Sequence, residues 1–440
     1  MYSLFLMIRM LMKKRKKDSL PLNFILNSLV AFFSMLFPIL SFPYASRILH
    51  PEYVGRVSFA ESLVTYFLLF SQMGIPTYGT REIAKVRSDR NKLIKLISQL
   101  FLINFSMAIC SYLVLILAIC LVPRLREDQW LYLVMGLALF MNAMGMDWLY
   151  KGLEEYGALA KRSFGLKILS LLSIFLLIHK QEDYLIYGFL YMLAAYGAGI
   201  LNFRAAYRDL LRGYLHLDAV KSDIKEAFQK HLSHIAVFFA MTCATTIYTH
   251  LDTVMVGAMS GNTELGYYNA AVKIKTLLVA ITTSLGIVLV PRITNCIMER
   301  KAEALRRYIR ITFLFTASFS LLSLGFFECF ATQSILLLSG QEFMPAVPAM
   351  KVIMLTVPLI GFSSLTGLEI LVPFHKEKIV LYSEVFGAVI DFVINLWLIP
   401  IYGSVGAAVG TVVAELGVLA FQTIYILISR KDFRLDDNQT

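Results

Sequence analysis

Ionisable side chains inside long apolar runs are the residues of this sequence best able to do chemistry. A charge in hydrocarbon costs at least about 2.5–3.5 kcal/mol, so such a side chain faces either protein or water. Four basic residues interrupt apolar runs in this way: Arg47, Lys273, Lys275 and Lys351. Basic groups in such places can bind anions through charge-assisted hydrogen bonds.

The same runs contain acidic residues, and apolar sequence surrounds Asp252 and Asp391. A carboxylate that binds and releases H⁺ or Na⁺ can couple a gradient to transport. A structural ion pair with a basic residue explains these two positions equally well. His250 is expected to be packed or hydrogen bonded rather than to relay protons. Asp147 and Glu369 stand near predicted cytoplasmic helix ends, where we expect them to be solvated.

The sequence contains no motif for a metal site, a disulfide framework or ATP hydrolysis. The cysteines show no CxxC or Cys/His spacing, so neither a metal site nor a disulfide framework is indicated. There is no GxxxxGK[ST] phosphate loop, so ATP hydrolysis by this chain is not expected. No cofactor is therefore predicted.

The composition is that of a membrane protein. Of 440 residues, 58% are hydrophobic and 16% are charged, with a mean hydropathy of +0.67. Soluble domains carry about 25% charged residues. No cleavable signal peptide is expected, because the basic residues 13–17 follow the opening apolar stretch instead of preceding it.

In lipid the backbone must satisfy its own hydrogen bonds, so each apolar run of about 20 residues predicts a helix. The sequence thus predicts an all-α polytopic protein of about twelve spans. The predicted spans are 22–46, 57–78, 96–121, 130–150, 163–178, 184–203, 232–258, 268–290, 311–338, 349–372, 379–400 and 405–428.

The distribution of basic residues predicts the orientation. With both ends in the cytoplasm, 33 of the 41 Lys and Arg residues lie on the cytoplasmic side, and 8 lie on the outer side or in the spans. This is the positive-inside asymmetry. The net charge of +11 is then explained by anionic lipid at the inner face, without a nucleic-acid partner.

Two six-helix lobes are predicted to flank a central connector. The segments are a basic N-terminus (1–21), an N-terminal lobe (22–203), an amphipathic cytoplasmic linker (204–231), a C-terminal lobe (232–428) and a cytoplasmic tail (429–440). A faint duplication supports the division. The sequence HPEYVG enters the second span and NTELGY enters the eighth, as in parallel transporter repeats.

Four segments, in the expected order, resemble polysaccharide flippases of the Wzx type. They are SRILHPEYVGRVSFAESL (46–63), GIPTYGTREIAKVR (74–87), LDTVMVGAMSGNTELGYYNAAVKI (251–274) and NLWLIPIYGSVGAAVGTVVAE (395–415). One departure is His50, which stands where these proteins often have glycine.

The resemblance implies a member of the MATE-like MOP superfamily in the bacterial cytoplasmic membrane. Such proteins move undecaprenyl-pyrophosphate-linked oligosaccharide from the inner to the outer leaflet by alternating access, for surface polysaccharide biosynthesis that includes lipopolysaccharide O-antigen. Polymerase and chain-length proteins of the same pathway are possible partners. The pyrophosphate would need cationic groups, for which Arg47, Lys273 and Lys275 are the candidates. Arg47 and Lys273 hold corresponding places in the two halves, Lys275 points to another helix face, and Lys351 is expected to snorkel.

Two other functions remain open. A MATE-type exporter of organic cations shares the fold, but its cavity should be dominated by carboxylates, with few basic residues. A membrane polymerase or acyltransferase of the same pathway should display a large outer loop or a cluster of His, Arg and Asp at one face. The predicted outer loops are short, so no enzyme is expected.

Overall fold

The computed structural model describes residues 20–211 and 217–433. Every regular element in these ranges is a helix. Most of the predicted N-terminal segment (1–21) and tail (429–440), and residues 212–216 of the linker, lie outside the described residues. We call the two faces of the molecule inner and outer, after the orientation predicted from the basic residues.

Apolar sequence makes the first half helical, and glycines and prolines divide it. Ten helices are described here, together with a 3₁₀ turn at Gln181–Asp183 and a π turn at Tyr207–Leu211. The helices are α1 (Leu20–Gln72), α2 (Ile75–Val86), α3 (Arg90–Leu121), α4 (Pro123–Glu127), α5 (Gln129–Gly136), α6 (Ala138–Gly145), α7 (Asp147–Gly152), α8 (Tyr156–Leu177), α9 (Tyr184–Tyr196) and α10 (Ala198–Ala206).

The second half has fewer and longer helices. The described elements include 3₁₀ turns at Gln341–Ala346 and Arg430–Phe433 and a π segment at Leu365–Leu371. The helices are α11 (Leu217–Ser260), α12 (Asn262–Met298), α13 (Ala302–Ser339), α14 (Val347–Met354), α15 (Thr356–Ser364) and α16 (Glu377–Ile428). Of the predicted linker, residues 204–211 thus belong to α10 and the π turn, and residues 217–231 form the first part of α11.

The described residues contain six helical segments long and apolar enough to cross a membrane, or seven if one bent pair is one span. Two long helices carry a break in the middle. α1 has non-helical backbone at His50, and α16 has it at Gly403. α16 has 52 residues, about 78 Å at the usual helical rise and more than twice a bilayer core. The number of twelve spans stays a prediction, as do the two lobes and the orientation.

The two halves meet most closely where α1 packs against α12. Gly55 in α1 lies against the backbone of Asn262, and Gly266 in α12 lies against the backbone of Pro51. Neither glycine leaves room for a Cβ. The two turns that the sequence pairs as a repeat are therefore in direct contact.

Further contacts join the halves at the outer face. Arg47 donates from Nη2 to the carbonyl of Leu337 at 2.7 Å. Arg124 donates from Nη1 to the carbonyl of Ala258 at 2.6 Å. His50 hydrogen bonds to Glu342. The outer end of the molecule is closed by these polar contacts together with the two glycine contacts.

Candidate functional site

Lys273 reaches from the second half to the first. It lies on α12, partly buried, and its Nζ donates to the Tyr191 hydroxyl of α9 at 3.4 Å. The ammonium also lies 5.5 Å from the centre of that aromatic ring. Glu61 of α1 is close enough to the Tyr191 hydroxyl for its charge to act on it. A cation, a phenol and a carboxylate thus meet where the halves join.

A cavity of about 260 Å³ opens beside this contact. Its lining includes Glu61, Tyr191 and Tyr196, together with Lys167 of α8. Lys167 Nζ donates to Ser34 Oγ at 2.7 Å and is half-buried. The cavity therefore has one lysine in its lining and a second, Lys273, in contact with its wall.

Sequence reasoning missed Lys167, although a signal was present. Lys167 is one of the 33 basic residues that the charge distribution assigns to the cytoplasmic side, yet it falls inside the predicted span 163–178. α8 already begins at Tyr156, so Lys167 stands at its midpoint rather than at its end. A basic residue within a predicted span is the pattern that also singled out Lys273.

A second cavity, of about 290 Å³, adjoins the first and shares Ala195 and Tyr196 with it. Amides, a carboxylate, a lysine and an indole line it: Gln72, Asn104, Asn142, Asp147, Lys151 and Trp148. The buried Asn104 Oδ1 and Trp148 Nε1 have no hydrogen-bond partner among the described residues. Such a set of donors and acceptors suits a ligand rich in hydroxyl groups.

Asp147 and Glu369 differ in their surroundings. Asp147, the first residue of α7, is exposed in the second cavity and accepts a hydrogen bond from Asn202 at 3.1 Å. Glu369 is only 2% exposed. The prediction of a solvated helix end is therefore wrong for Glu369, because the π segment turns this side chain inward against Gly286.

Arg47 lies apart from these cavities. Its side chain is exposed, bonds the Leu337 carbonyl and packs its stem against Gly340. No contact among the described residues joins it to Lys273. Its role in a cationic cavity stays a prediction, and its observed role is in the outer closure.

Asp252 and Asp391 form a buried carboxylate pair in the second half. Asp252 is 8% exposed and Asp391 is 2% exposed, and the two side chains are close enough for the charge of one to act on the other. Asp252 also accepts hydrogen bonds from Tyr268 at 2.6 Å, Asn395 at 2.8 Å and Thr411 at 2.8 Å. The structure thus brings together the two acidic residues singled out in the sequence.

The surroundings of this pair contain acceptors that lack donors. Asp391 Oδ1 and Asn395 Oδ1 are buried without a hydrogen-bond partner among the described residues. A nearby carboxylate, Glu415, accepts a hydrogen bond from Tyr248 at 2.6 Å. Lys275 is close enough for its charge to act on Asp391 and Glu415. A proton or a small cation would satisfy the unpaired oxygens.

Lys273 and Lys275 face different sides of α12, as their spacing predicts. Lys273 contacts the first half, whereas the charge of Lys275 acts on the carboxylates of the second. His250 hydrogen bonds with Ser62 at 3.4 Å and packs against Tyr66, which agrees with the expectation of a packed residue.

Comparison with known proteins gives two family matches. Residues 22–297 match the family described as polysaccharide biosynthesis protein, and residues 238–397 match the MatE family. The chain is 22% identical over 415 residues to a "Putative O-antigen transporter" of Escherichia coli (strain K12), covering 93% of this chain and 97% of that one. It is 24% identical over 407 residues to a protein of the same description from Shigella dysenteriae, covering 91% and 98%.

Solved structures share the fold. The lipid II flippase MurJ in an inward closed conformation superimposes with a TM-score of 0.70 at 16% identity, over 93% of this chain and 89% of that one. An inward-facing multidrug resistance MATE family transporter of the MOP superfamily gives 0.65 at 13% identity, over 93% and 99%. Both likenesses concern the fold.

Proposed function

The chain belongs to the polysaccharide biosynthesis protein family, and on that premise we propose that it flips undecaprenyl-pyrophosphate-linked oligosaccharide from the inner to the outer leaflet. Its relatives are named as transporters and its structural neighbours as flippases or transporters, so the chain is a membrane transporter and not an enzyme. The expected MATE-like fold and the resemblance to flippases of the MOP superfamily are confirmed.

The observation that carries the proposal is the cavity of the first half that has one lysine in its lining and a second lysine, from the other half, against its wall. Lys167 lines it and Lys273 contacts its wall from the opposite half. A pyrophosphate crossing a bilayer needs such partners, because the surrounding hydrocarbon offers none. Glu61 next to Tyr191 offsets part of the positive charge, which favours release over permanent binding.

The adjoining cavity suits the sugar part of the substrate. Its amides, Asp147 and Trp148 provide donors, acceptors and an aromatic surface next to the cationic cavity. Hydroxyl groups of a glycan could satisfy the unpaired Asn104 Oδ1 and Trp148 Nε1. The two cavities adjoin, as the diphosphate and the glycan do in the proposed substrate.

Coupling to a gradient is the further part of the proposal. The charges of Asp252 and Asp391 act on each other, which favours uptake of a cation by one of them, and two oxygens at this place lack donors. Binding and release of H⁺ or Na⁺ there would alter the charge inside the second half during each cycle. Lys275 lies on the same helix as Lys273. A movement of this helix would therefore link a change at the carboxylate pair to a change at the cavity.

A MATE-type exporter of cations is the second candidate, favoured by the buried carboxylate pair and by the MatE match over residues 238–397. The two functions differ in their cargo. In a strain lacking the native protein, the flippase restores lipid-linked glycan at the outer leaflet. In everted vesicles from the same cells, an exporter drives ethidium accumulation above that of vector-only vesicles. Ethidium transport without restored glycan would overturn the proposed function.

A further inference from the structure

A third cavity lies at the inner face, away from the transport cavities. It measures about 420 Å³ and is bounded by α2, the first turns of α3 and α11. Four basic side chains and one acidic one belong to its lining: Arg81, Lys85, Lys92, Lys95 and Glu82. Val86 and Leu96 add apolar surface.

The sequence positions these cations on two short stretches. α2 buries Ile75, Tyr78, Gly79 and Ile83 on one face, which leaves Arg81 and Lys85 exposed. α3 begins after Asp89, whose side chain accepts hydrogen bonds from the backbone of Asn91 and Lys92 at 3.2 Å. The first turns of α3 therefore carry Lys92 and Lys95 alongside α2.

The floor of the cavity is a buried polar chain. The Tyr78 hydroxyl lies 2.8 Å from His231 Nδ1, and His231 Nε2 lies 3.1 Å from Gln99 Oε1. With Tyr78 donating, the neutral imidazole donates in turn to Gln99. Gln99 is 1% exposed, and its Nε2 has no partner among the described residues. The cavity thus contains a buried N–H donor in need of an acceptor.

Acidic neighbours do not cancel the positive charge. Glu82 pairs with Lys85 at 2.7 Å and with Arg81 at 3.4 Å. Partial burial raises the pKa of Glu82, but the hydrogen bonds and charges of Lys85 and Arg81 outweigh burial and hold it below the usual value. Asp89 pairs with Lys92 at 3.2 Å, so the described residues place two acidic groups beside the four basic ones. The missing acceptor is therefore expected to be an anion.

We propose that this cavity binds the phosphate group of a lipid in the inner leaflet. Basic pockets between helices on this side of a membrane suit phosphorylated head groups, and Val86 and Leu96 offer contact for the adjoining glycerol or prenyl carbons. The head group would bridge α2 and α3 to His231 of α11, and so bind both halves. An anionic phospholipid as ligand is independent of the proposed flippase function, whereas the substrate's own diphosphate rests on it.

The test measures lipid binding to the full chain in phosphatidylcholine nanodiscs by native mass spectrometry. The probes are short-chain phosphatidylglycerol, farnesyl diphosphate and, as a neutral reference, short-chain phosphatidylcholine. Lys92→Gln/Lys95→Gln removes two cations from the cavity. Arg306→Gln/Arg307→Gln removes two exposed cations from the start of α13, at the same predicted face but outside the cavity.

We expect the cavity variant to bind at least tenfold more weakly and the α13 variant to change less than twofold. Gln99→Glu, which keeps the acceptor for His231 but replaces the donor with a repelling carboxylate oxygen, should reproduce the loss. Loss for phosphatidylglycerol identifies a phospholipid head group, and loss for farnesyl diphosphate alone identifies the substrate's diphosphate. Equal binding by both double variants and wild type, with unchanged size-exclusion profiles, overturns the proposal.

Discussion

Gly55 and Gly266 occupy matching places in the two halves, and each packs against the residue that begins the other's helical segment. Gly55 contacts the backbone of Asn262, and Gly266 contacts the backbone of Pro51. A Cβ at either position would overlap main-chain atoms, which cannot rotate away as a flexible side chain can. The outer end is therefore closed by a backbone contact that only glycine permits.

We expect Gly55→Ala and Gly266→Ala to hold the outer ends of the halves apart. Overpacking costs about 1–3 kcal/mol, so the population of the closed state relative to the open one should fall by about 5- to 140-fold. In a cysteine-free background, a cysteine at Val54, which is 3% exposed, should react faster with an impermeant maleimide added from outside. Transport of the lipid-linked glycan should fall in parallel.

Gly325→Ala is the matched control, because nothing lies within 4 Å of a Cβ at that position in α13. It should leave labelling at Val54 and transport unchanged. Equal labelling of the Gly55→Ala, Gly325→Ala and unsubstituted proteins would show that the glycine contact does not hold the outer end closed.

His50 and Gly261 precede these two segments with the same uncommon backbone. Their φ/ψ values are 62°/169° and 94°/175°, a region that is essentially reserved for glycine. We expect His50→Gly to relieve strain of about 1–3 kcal/mol, offset by about 0.2–1 kcal/mol for the lost partly exposed pair with Glu342. The midpoint of thermal unfolding should rise.

Gly261→Ala is the converse substitution, and it measures the free-energy cost of backbone strain alone. Nothing lies within 4 Å of a Cβ there, so a fall in the unfolding midpoint would come from strain alone. Glu342→Gln separates the contribution of the ion pair. A fall in the midpoint for His50→Gly that exceeds the fall for Glu342→Gln would contradict the strain assignment.

The sequence predicts the helical class of the protein. It also identifies most of the charged residues whose positions need a structural explanation. Of the eight basic residues that break the charge rule, Lys273 lies beside a cavity, and Arg47 and Arg124 bind carbonyls across the halves. Arg56 pairs with Asp128 at 2.9 Å. The positive-inside asymmetry identifies a basic residue that lies outside the cytoplasmic side, but the partner of that residue depends on how the helices pack.

Helix packing also explains the positions of Lys167 and Glu369, which the sequence does not predict. Lys167 and Tyr191 lie 24 positions apart, on α8 and α9, and line the same cavity because those helices pack together. The inward turn of Glu369 depends on a π segment, which hydrophobic periodicity does not report. Asp252 and Asp391 were found because an acidic residue in an apolar run is visible without knowledge of the fold.

Lys167→Ala and Lys273→Ala should each lower the amount of lipid-linked glycan at the outer leaflet, by about tenfold or more if each loses a charge-assisted hydrogen bond worth about 1.5–3 kcal/mol. The physical reason is a lost cation at the cavity of the first half, which Lys167 lines and whose wall Lys273 contacts. Lys351→Ala is the control, since that lysine is exposed in α14. Arg47→Ala should reduce transport less than Lys273→Ala, because it weakens the outer closure only. Full transport by Lys167→Ala/Lys273→Ala at normal protein levels would remove the cationic cavity from the proposal.

Asp391→Asn is the sharpest test of gradient coupling. Asp252 holds three hydrogen bonds from neighbouring side chains, so its substitution risks misfolding, whereas Asp391 has a free oxygen and can change at lower structural cost. Asparagine keeps the size of the protonated carboxyl but cannot exchange a proton. We expect near-normal protein levels and a transport rate in vesicles that no longer responds to an imposed proton or sodium gradient. Glu328→Gln, an acidic residue of α13 outside the pair, should retain the response of the unsubstituted protein. If the unsubstituted protein and Asp391→Asn are both indifferent to either gradient, the carboxylate pair is a structural element and transport is driven by other means.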